Sequence, residues 1–161
     1  LLPGGLESGQ EDKAPTLFRN DIDRHVSRVA RTRVTSNRSP WLQDFRPGQV
    51  HSVAFSHGEG KFVADETWLR TLADNGQIAT QYVDETGTPS MDGEYNINGS
   101  AWAVEGITSE DGRVLGKMGH SERWEEGLFI NIDGDRDQDI FASGVRFFTH
   151  APLGDAPEHD A

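Results

Sequence analysis

His120 and Glu122 stand two residues apart at the end of the run Val114-Leu115-Gly116-Lys117-Met118-Gly119. A histidine at a strand end with a carboxylate two residues on can be held in one imidazole tautomer, leaving the other ring nitrogen free to take a proton. Such a pair is a base in want of a nucleophile. The 161 residues contain no cysteine. No serine, including Ser56, Ser100 and Ser121, lies in the Gly-x-Ser-x-Gly elbow of a serine hydrolase. The same two residues also suit a hydrogen-bonded structural histidine, and at this point both readings stay open.

A second set of groups follows an apolar stretch at Ser56-His57-Gly58-Glu59-Gly60, where glycines let the backbone turn and come close to a ligand. His57, His120 and Glu122 together make up the two-histidine, one-carboxylate set of many zinc and iron sites, but their spacing follows no ligand pattern. Asp133-Gly134-Asp135-Arg136-Asp137-Gln138-Asp139 has the alternating carboxylates of a calcium loop. Its sixth position is Gln138 instead of glycine and its twelfth is Gly144 instead of glutamate. It reads as an acidic surface loop leading into a helix N-terminus, and no metal is assigned. Trp41, Trp68, Trp102 and Trp124 read as packing residues.

The elements that would position these groups follow from periodicity and punctuation. Residues 26–35 read as a strand. Arg24, Arg28, Arg31, Arg33 and Arg38 make it basic, which suits a solvated sheet edge or an acidic neighbour. Residues 50–56 form a strand running into the His57 turn. Asp65 caps a helix whose Trp68, Leu69, Leu72 and Ala73 share an apolar face, and Asn75-Gly76 ends it. Residues 77–83 are a strand and 86–100 are turn-rich. Segments 101–108 and 113–118 form a hairpin across Ser109-Glu110-Asp111-Gly112, which delivers His120. Ile140, Phe141, Gly144, Val145 and Phe148 share one face of a closing helix. Mixed strands and helices point to an α/β sandwich, with His57 and His120 at carboxyl ends of strands, where such sheets bind ligands.

Composition sets the frame. Twenty-seven acidic against 15 basic residues give a net charge of −12. That excess disfavours a nucleic-acid or anionic-membrane surface and leaves small molecules and proteins as partners. No apolar run approaches the ~20 residues of a membrane span, and the first residues lack the features of a signal peptide, so a cytoplasmic location is expected. Without cysteine, neither disulfides nor cysteine-zinc sites arise within these residues. Leu1 is not a natural start residue, which suggests a fragment or a processed chain.

Six motifs in order carry a family resemblance. They are Ser56-His57-Gly58-Glu59-Gly60-Lys61-Phe62, Gly76-Gln77 with Tyr82-Val83-Asp84, Asn96-Ile97-Asn98-Gly99-Ser100, Glu105-Gly106-Ile107-Thr108-Ser109, Asp111-Gly112-Arg113-Val114-Leu115, and Gly119-His120-Ser121-Glu122-Arg123. Across about residues 15–148 the chain resembles the phosphoribosylformylglycinamidine synthase family, in its C-terminal class I glutamine amidotransferase (glutaminase) domain. The resemblance implies a flavodoxin-like three-layer α/β sandwich, incomplete at its N-terminal side. Residues 1–14 would be the loop after the nucleophile elbow, 15–148 the C-terminal part of the domain, and 149–161 a polar tail.

What the family does is then the expectation. A cysteine thiolate attacks the side-chain amide of glutamine, a histidine moves the proton, and a glutamate orients that histidine. The resemblance makes His120 the base and acid and Glu122 its orienter. Ser56, His57, Gly58 and Glu59 would form the turn whose backbone groups hold the amino-acid end of glutamine. Many relatives read Pro-His-Pro-Glu where this chain has Gly119 and Ser121 in place of the prolines. The ammonia would pass to a synthetase region of the parent, which uses ATP and Mg²⁺ to make formylglycinamidine ribonucleotide in purine synthesis. The chain itself would carry no cofactor. Lacking the thiol, it would be inactive alone, with exposed apolar edges, marginal stability or self-association. The alternative is a standalone binding or regulatory module in which His120 is structural.

Overall fold

The computed structural model describes residues 14–150. The loop expected over 1–13 and the tail beyond 150 lie outside the described residues, while Thr149 and His150 belong to the last helix instead of to the tail.

Among the described residues seven strands and two α-helices follow one another in the order β1 (Thr16–Phe18), β2 (Val26–Val34), β3 (Val50–His57), β4 (Lys61–Val63), α1 (Glu66–Asp74), β5 (Ile78–Tyr82), β6 (Val104–Thr108), β7 (Leu115–Lys117) and α2 (Ile140–His150). Five strands make the main sheet, ordered β3-β2-β5-β6-β7, and β1 pairs with β4 apart from it. Every pairing among the described strands is antiparallel. The rule placing ligands beyond the carboxyl ends of parallel strands therefore does not apply to this portion, because successive strands here point opposite ways.

Closure brings the sites together instead. The register of β5 against β6 shifts twice, between Ile78 and Gln81, and such irregularities sharpen sheet twist. The sheet curls until the segment after β7 meets the far edge strand β3: the His120 N–H donates to Ala54 O at 2.8 Å, an isolated antiparallel bridge. Along this curl Val26, Ala30, Val53, Phe55, Tyr82, Ile97 and Ala103 form one buried cluster, with Met118 against it.

Ile78 and Ala79 are neighbours on β5 and so point to opposite faces. On the Ile78 side, Leu69 and Leu72 of α1 pack with Phe62, Val104 and Ile107. Each of these leucines contributes about 1.5–3 kcal/mol by leaving water. Asp65 caps α1 by accepting the Trp68 N–H at 2.9 Å, but Ala73 is exposed, so the buried stripe is narrower than the sequence suggests. On the Ala79 side lie Val34, Leu42, Phe45 and Ile140, with Trp41 and Leu115 against them. Helix, sheet and helix thus make the expected layers.

Three details differ from the sequence expectation. β2 is an interior strand, paired on both sides. Two of its arginines reach sideways instead of lining a free edge: Arg31 donates to Glu85 O at 2.7 Å and Arg33 to Gln81 Oε1 at 3.3 Å. Residues 101–103 form a 3-10 turn, and the strand begins only at Val104. Helix α2 buries Ile140, Ser143 and Gly144 while Phe141, Val145 and Phe148 stay exposed, so the residues expected on one face fall on two.

Candidate active site

β7 leaves the sheet through Gly119, and that glycine is sterically required. A Cβ there would lie 2.8 Å from Val53 Cγ1, 3.0 Å from Phe55 Cζ and 3.0 Å from Glu105 Oε1. Its N–H donates to Glu105 Oε1 at 2.5 Å, and the Met118 N–H donates to Glu105 O at 3.2 Å. The turn that follows is closed by the Arg123 N–H on His120 O at 3.2 Å.

Within this turn His120 Nδ1 lies 2.7 Å from Glu122 Oε1. A carboxylate can only accept here, so Nδ1 carries the proton and Nε2 is left as the basic nitrogen. Partial burial resists ionisation of Glu122, but its backbone N–H and the His120 ring outweigh that and hold its carboxyl below the ordinary range. The His120 side chain is 29% exposed and Glu122 53%. Both line an open cleft of about 570 Å³ between β7 and the start of α2, bounded also by Trp41 and Phe141. An oriented base at the mouth of a cleft is equipped to take a proton from an incoming nucleophile and return it to a leaving group.

The Ser56–Glu59 turn is held by a residue for which the sequence offers no signal. Asn20, 2% exposed, donates to His57 O at 2.8 Å and Arg24 O at 3.0 Å, and its Oδ1 lies 3.1 Å from His57 Nδ1 and accepts from Gly60 N at 3.2 Å. The Asn20 N–H donates to Gly58 O at 3.1 Å. If Asn20 Oδ1 accepts from His57, Nε2 of that ring is unprotonated, and it is buried without a partner. Burial chiefly, with His25 and His120 adding to it, pushes the His57 pKa down. Ser56 Oγ lies 3.4 Å from His25 Nε2, and Glu59 is exposed. Behind this loop the buried Asn98 donates to Gly60 O at 2.6 Å and to the Tyr82 hydroxyl at 3.0 Å. The turn Asn96-Ile97-Asn98-Gly99-Ser100 is therefore a buried scaffold for the loop.

His57 and His120 lie close enough to influence one another electrostatically, but each is engaged by its own partner. Among the described residues no three His, Cys, Asp or Glu side chains converge as a metal site. The acidic loop packs through its backbone: Asp133 O accepts from Ser52 Oγ at 2.7 Å and Asp135 O from Ser52 N at 2.6 Å. Asp139 then caps α2 by accepting the Ala142 N–H at 2.9 Å, as a loop leading into a helix should. Among the described residues no helix is long and apolar enough to cross a membrane.

The CobB/CobQ-like glutamine amidotransferase domain matches residues 1–151. The chain is 36% identical over 134 residues to phosphoribosylformylglycinamidine synthase subunit PurQ of Rhodopseudomonas palustris, covering 83% of this chain and 52% of that protein. It is 37% identical over 120 residues to the PurQ subunit of Chlorobaculum tepidum, covering 74% and 50%. The chain thus spans about half the length of the curated relatives it matches. In fold it resembles a chain of the PurLQS structure from Thermotoga maritima, with a TM-score of 0.61 at 21% identity over 84% of this chain and 53% of the other. With nearly its whole length matched and a fold shared with PurLQS, the chain belongs to the CobB/CobQ-like glutamine amidotransferase domain family.

Proposed function

We propose that this chain supplies the proton-transfer half of a glutaminase, with the nucleophilic thiol contributed from outside these 161 residues. The observation that carries the reading is the 2.7 Å contact from His120 Nδ1 to Glu122 Oε1 beside an open cleft. His120 Nε2 takes the thiol proton as the sulfur attacks the carboxamide carbon of glutamine. It then gives that proton to the departing ammonia, leaving a thioester. The same nitrogen deprotonates a water that attacks the thioester, and glutamate leaves as the thiol regains its proton. Glutamine and water become glutamate and ammonia. Glu122 holds the tautomer throughout and steadies the imidazolium that forms.

The turn made by Ser56, His57, Gly58 and Glu59 is proposed to hold the amino-acid end of glutamine, a reading supported by its rigid suspension from Asn20. By likeness to the PurQ subunits, the ammonia is proposed to serve a synthetase partner that uses ATP and Mg²⁺ to make formylglycinamidine ribonucleotide. The cofactors belong to that partner. His120→Ala in the assembled enzyme is expected to abolish glutamine-dependent turnover and to spare turnover on added ammonia, since only the glutaminase step needs the base. Equal loss of both would overturn the assignment. Full retention of both would favour a non-catalytic module on the same scaffold.

A further inference from the structure

The two residues flanking His120 make hydrogen bonds that prolines at their positions could not make. Gly119 donates its N–H to the Glu105 carboxylate at 2.5 Å. Ser121 donates its hydroxyl to Gln138 Oε1 at 2.8 Å and accepts from Lys117 Nζ at 2.9 Å. Lys117 also donates to Gln138 Oε1 at 2.6 Å, and its ammonium lies 4.0 Å from Glu105 Oε1. The Thr80 hydroxyl donates to the other Glu105 oxygen. These groups are sequestered: the side chains of Lys117 and Glu105 are 7% and 0% exposed, and Gln138 is 1% exposed.

Glycine and serine leave a turn loose, whereas proline fixes φ and needs no external support. We infer that Glu105, Lys117, Ser121 and Gln138 are positioning residues for the His120–Glu122 pair, a buried polar network that clamps the backbone on both sides of the imidazole. Burying an ammonium and a carboxylate is costly, and a network of this kind rigidifies only when fully satisfied. Here the ammonium has two direct acceptors and an ion-pair partner. Burial pulls the Lys117 pKa below its ordinary value, with Glu105 and Glu122 opposing.

The network also joins the site to the acidic loop. Gln138 lies next to Asp139, the cap of α2, and its Nε2 is 3.4 Å from His51 Nδ1. His51 Nε2 in turn lies 3.5 Å from Asp135 Oδ2. The loop, docked on β3 through Ser52, thus carries the acceptor that holds Ser121. Its role is to bring Gln138 under the catalytic turn, which accounts for a carboxylate-rich segment without metal-loop geometry.

The catalytic consequence rests on the glutaminase reading, but the positioning does not, so the first readout is spectroscopic. In the 161-residue chain with ¹⁵N-labelled histidine, long-range ¹H–¹⁵N correlations are expected to show His120 as the Nδ1–H tautomer at neutral pH. Ser121→Ala and Gln138→Leu are expected to shift it toward the mixture of tautomers of an unrestrained imidazole. Gln138→Glu, which keeps an acceptor oxygen for Lys117 and Ser121, is expected to restore it. In the assembled enzyme the two disruptive variants are expected to lower kcat for glutamine by roughly ten- to a hundredfold with KM unmoved. An unchanged His120 tautomer in both variants would overturn the inference. If Gln138→Leu fails to fold, the half-buried Ser121→Ala decides alone. Loss of the glutaminase reading through an active His120→Ala enzyme would leave the tautomer result standing.

Discussion

Two imidazoles, His51 buried and His57 half-buried, tie the stability of this fold to pH. Burial lowers the pKa of His51 against the pull of Asp135, and burial, aided by His25, lowers that of His57, each from an ordinary 6.5. With folded values below the unfolded one, the unfolded chain binds the extra protons. Stability from the neutral rings is therefore present above pH 6.5 and is lost as pH falls from 6.5 through the folded values. Glu122, held below its ordinary 4.5, adds a further loss only at lower pH. The melting midpoint is expected to fall between about pH 7.5 and about pH 5.5, and a flat profile would contradict the burial of these rings. At this scale the sequence is legible only where chemistry is local. His120 and Glu122 are two positions apart, so their pairing can be read from the string. Asn20 reaches His57 across 37 positions and Gln138 reaches Lys117 across 21. A lone Asn or Gln in a polar segment carries no mark of such a partner.

At the scale of elements, local signals located the strands and helices, and packing partners decided which face each would bury. Alternation and the Asp65 and Asn75-Gly76 signals place β2, β3, α1 and β5 within a residue or two of where they form. The arginines of β2 suggest an edge because a charged row usually meets water. Here the guanidinium groups of Arg31 and Arg33 find a carbonyl and an amide oxygen nearby, which lets the strand lie inside the sheet. Helix α2 carries two apolar stripes, and periodicity alone cannot choose between them. The choice falls on Ile140 and Gly144 because Trp41 packs against the helix there, where a Cβ at Gly144 would overlap its indole ring. Ser143 reinforces the seam by donating to Pro40 O at 3.1 Å, and Arg146 pairs with Asp44. Gly144→Ala is expected to push α2 off Trp41 at a cost of about 1–3 kcal/mol, read as a lower denaturation midpoint with unchanged slope. Retained stability would mean that the helix seats elsewhere.

At the scale of the whole molecule, the described residues leave apolar surface that they do not cover themselves. Phe141, Val145 and Phe148, at 52%, 60% and 47% exposure, run as a stripe along α2, and Val114 beside β7 is 54% exposed. In the order of the main sheet β7 is outermost. An outermost strand flanked by an apolar stripe is a template for association. The net charge of −12 opposes that tendency at low ionic strength. Since salt screens the repulsion and leaves the apolar contact intact, the two forces can be separated experimentally. The isolated chain is expected to self-associate with rising concentration, more at about 0.5 M salt than at about 0.05 M, in sedimentation velocity. Phe141→Lys with Val145→Lys is expected to return it to a monomer, because both side chains are exposed and the changes leave the buried Ile140 and Gly144 seam untouched. Association that weakens with salt and survives the double substitution would place the contact on charged surface instead and leave the α2 stripe without a role in it.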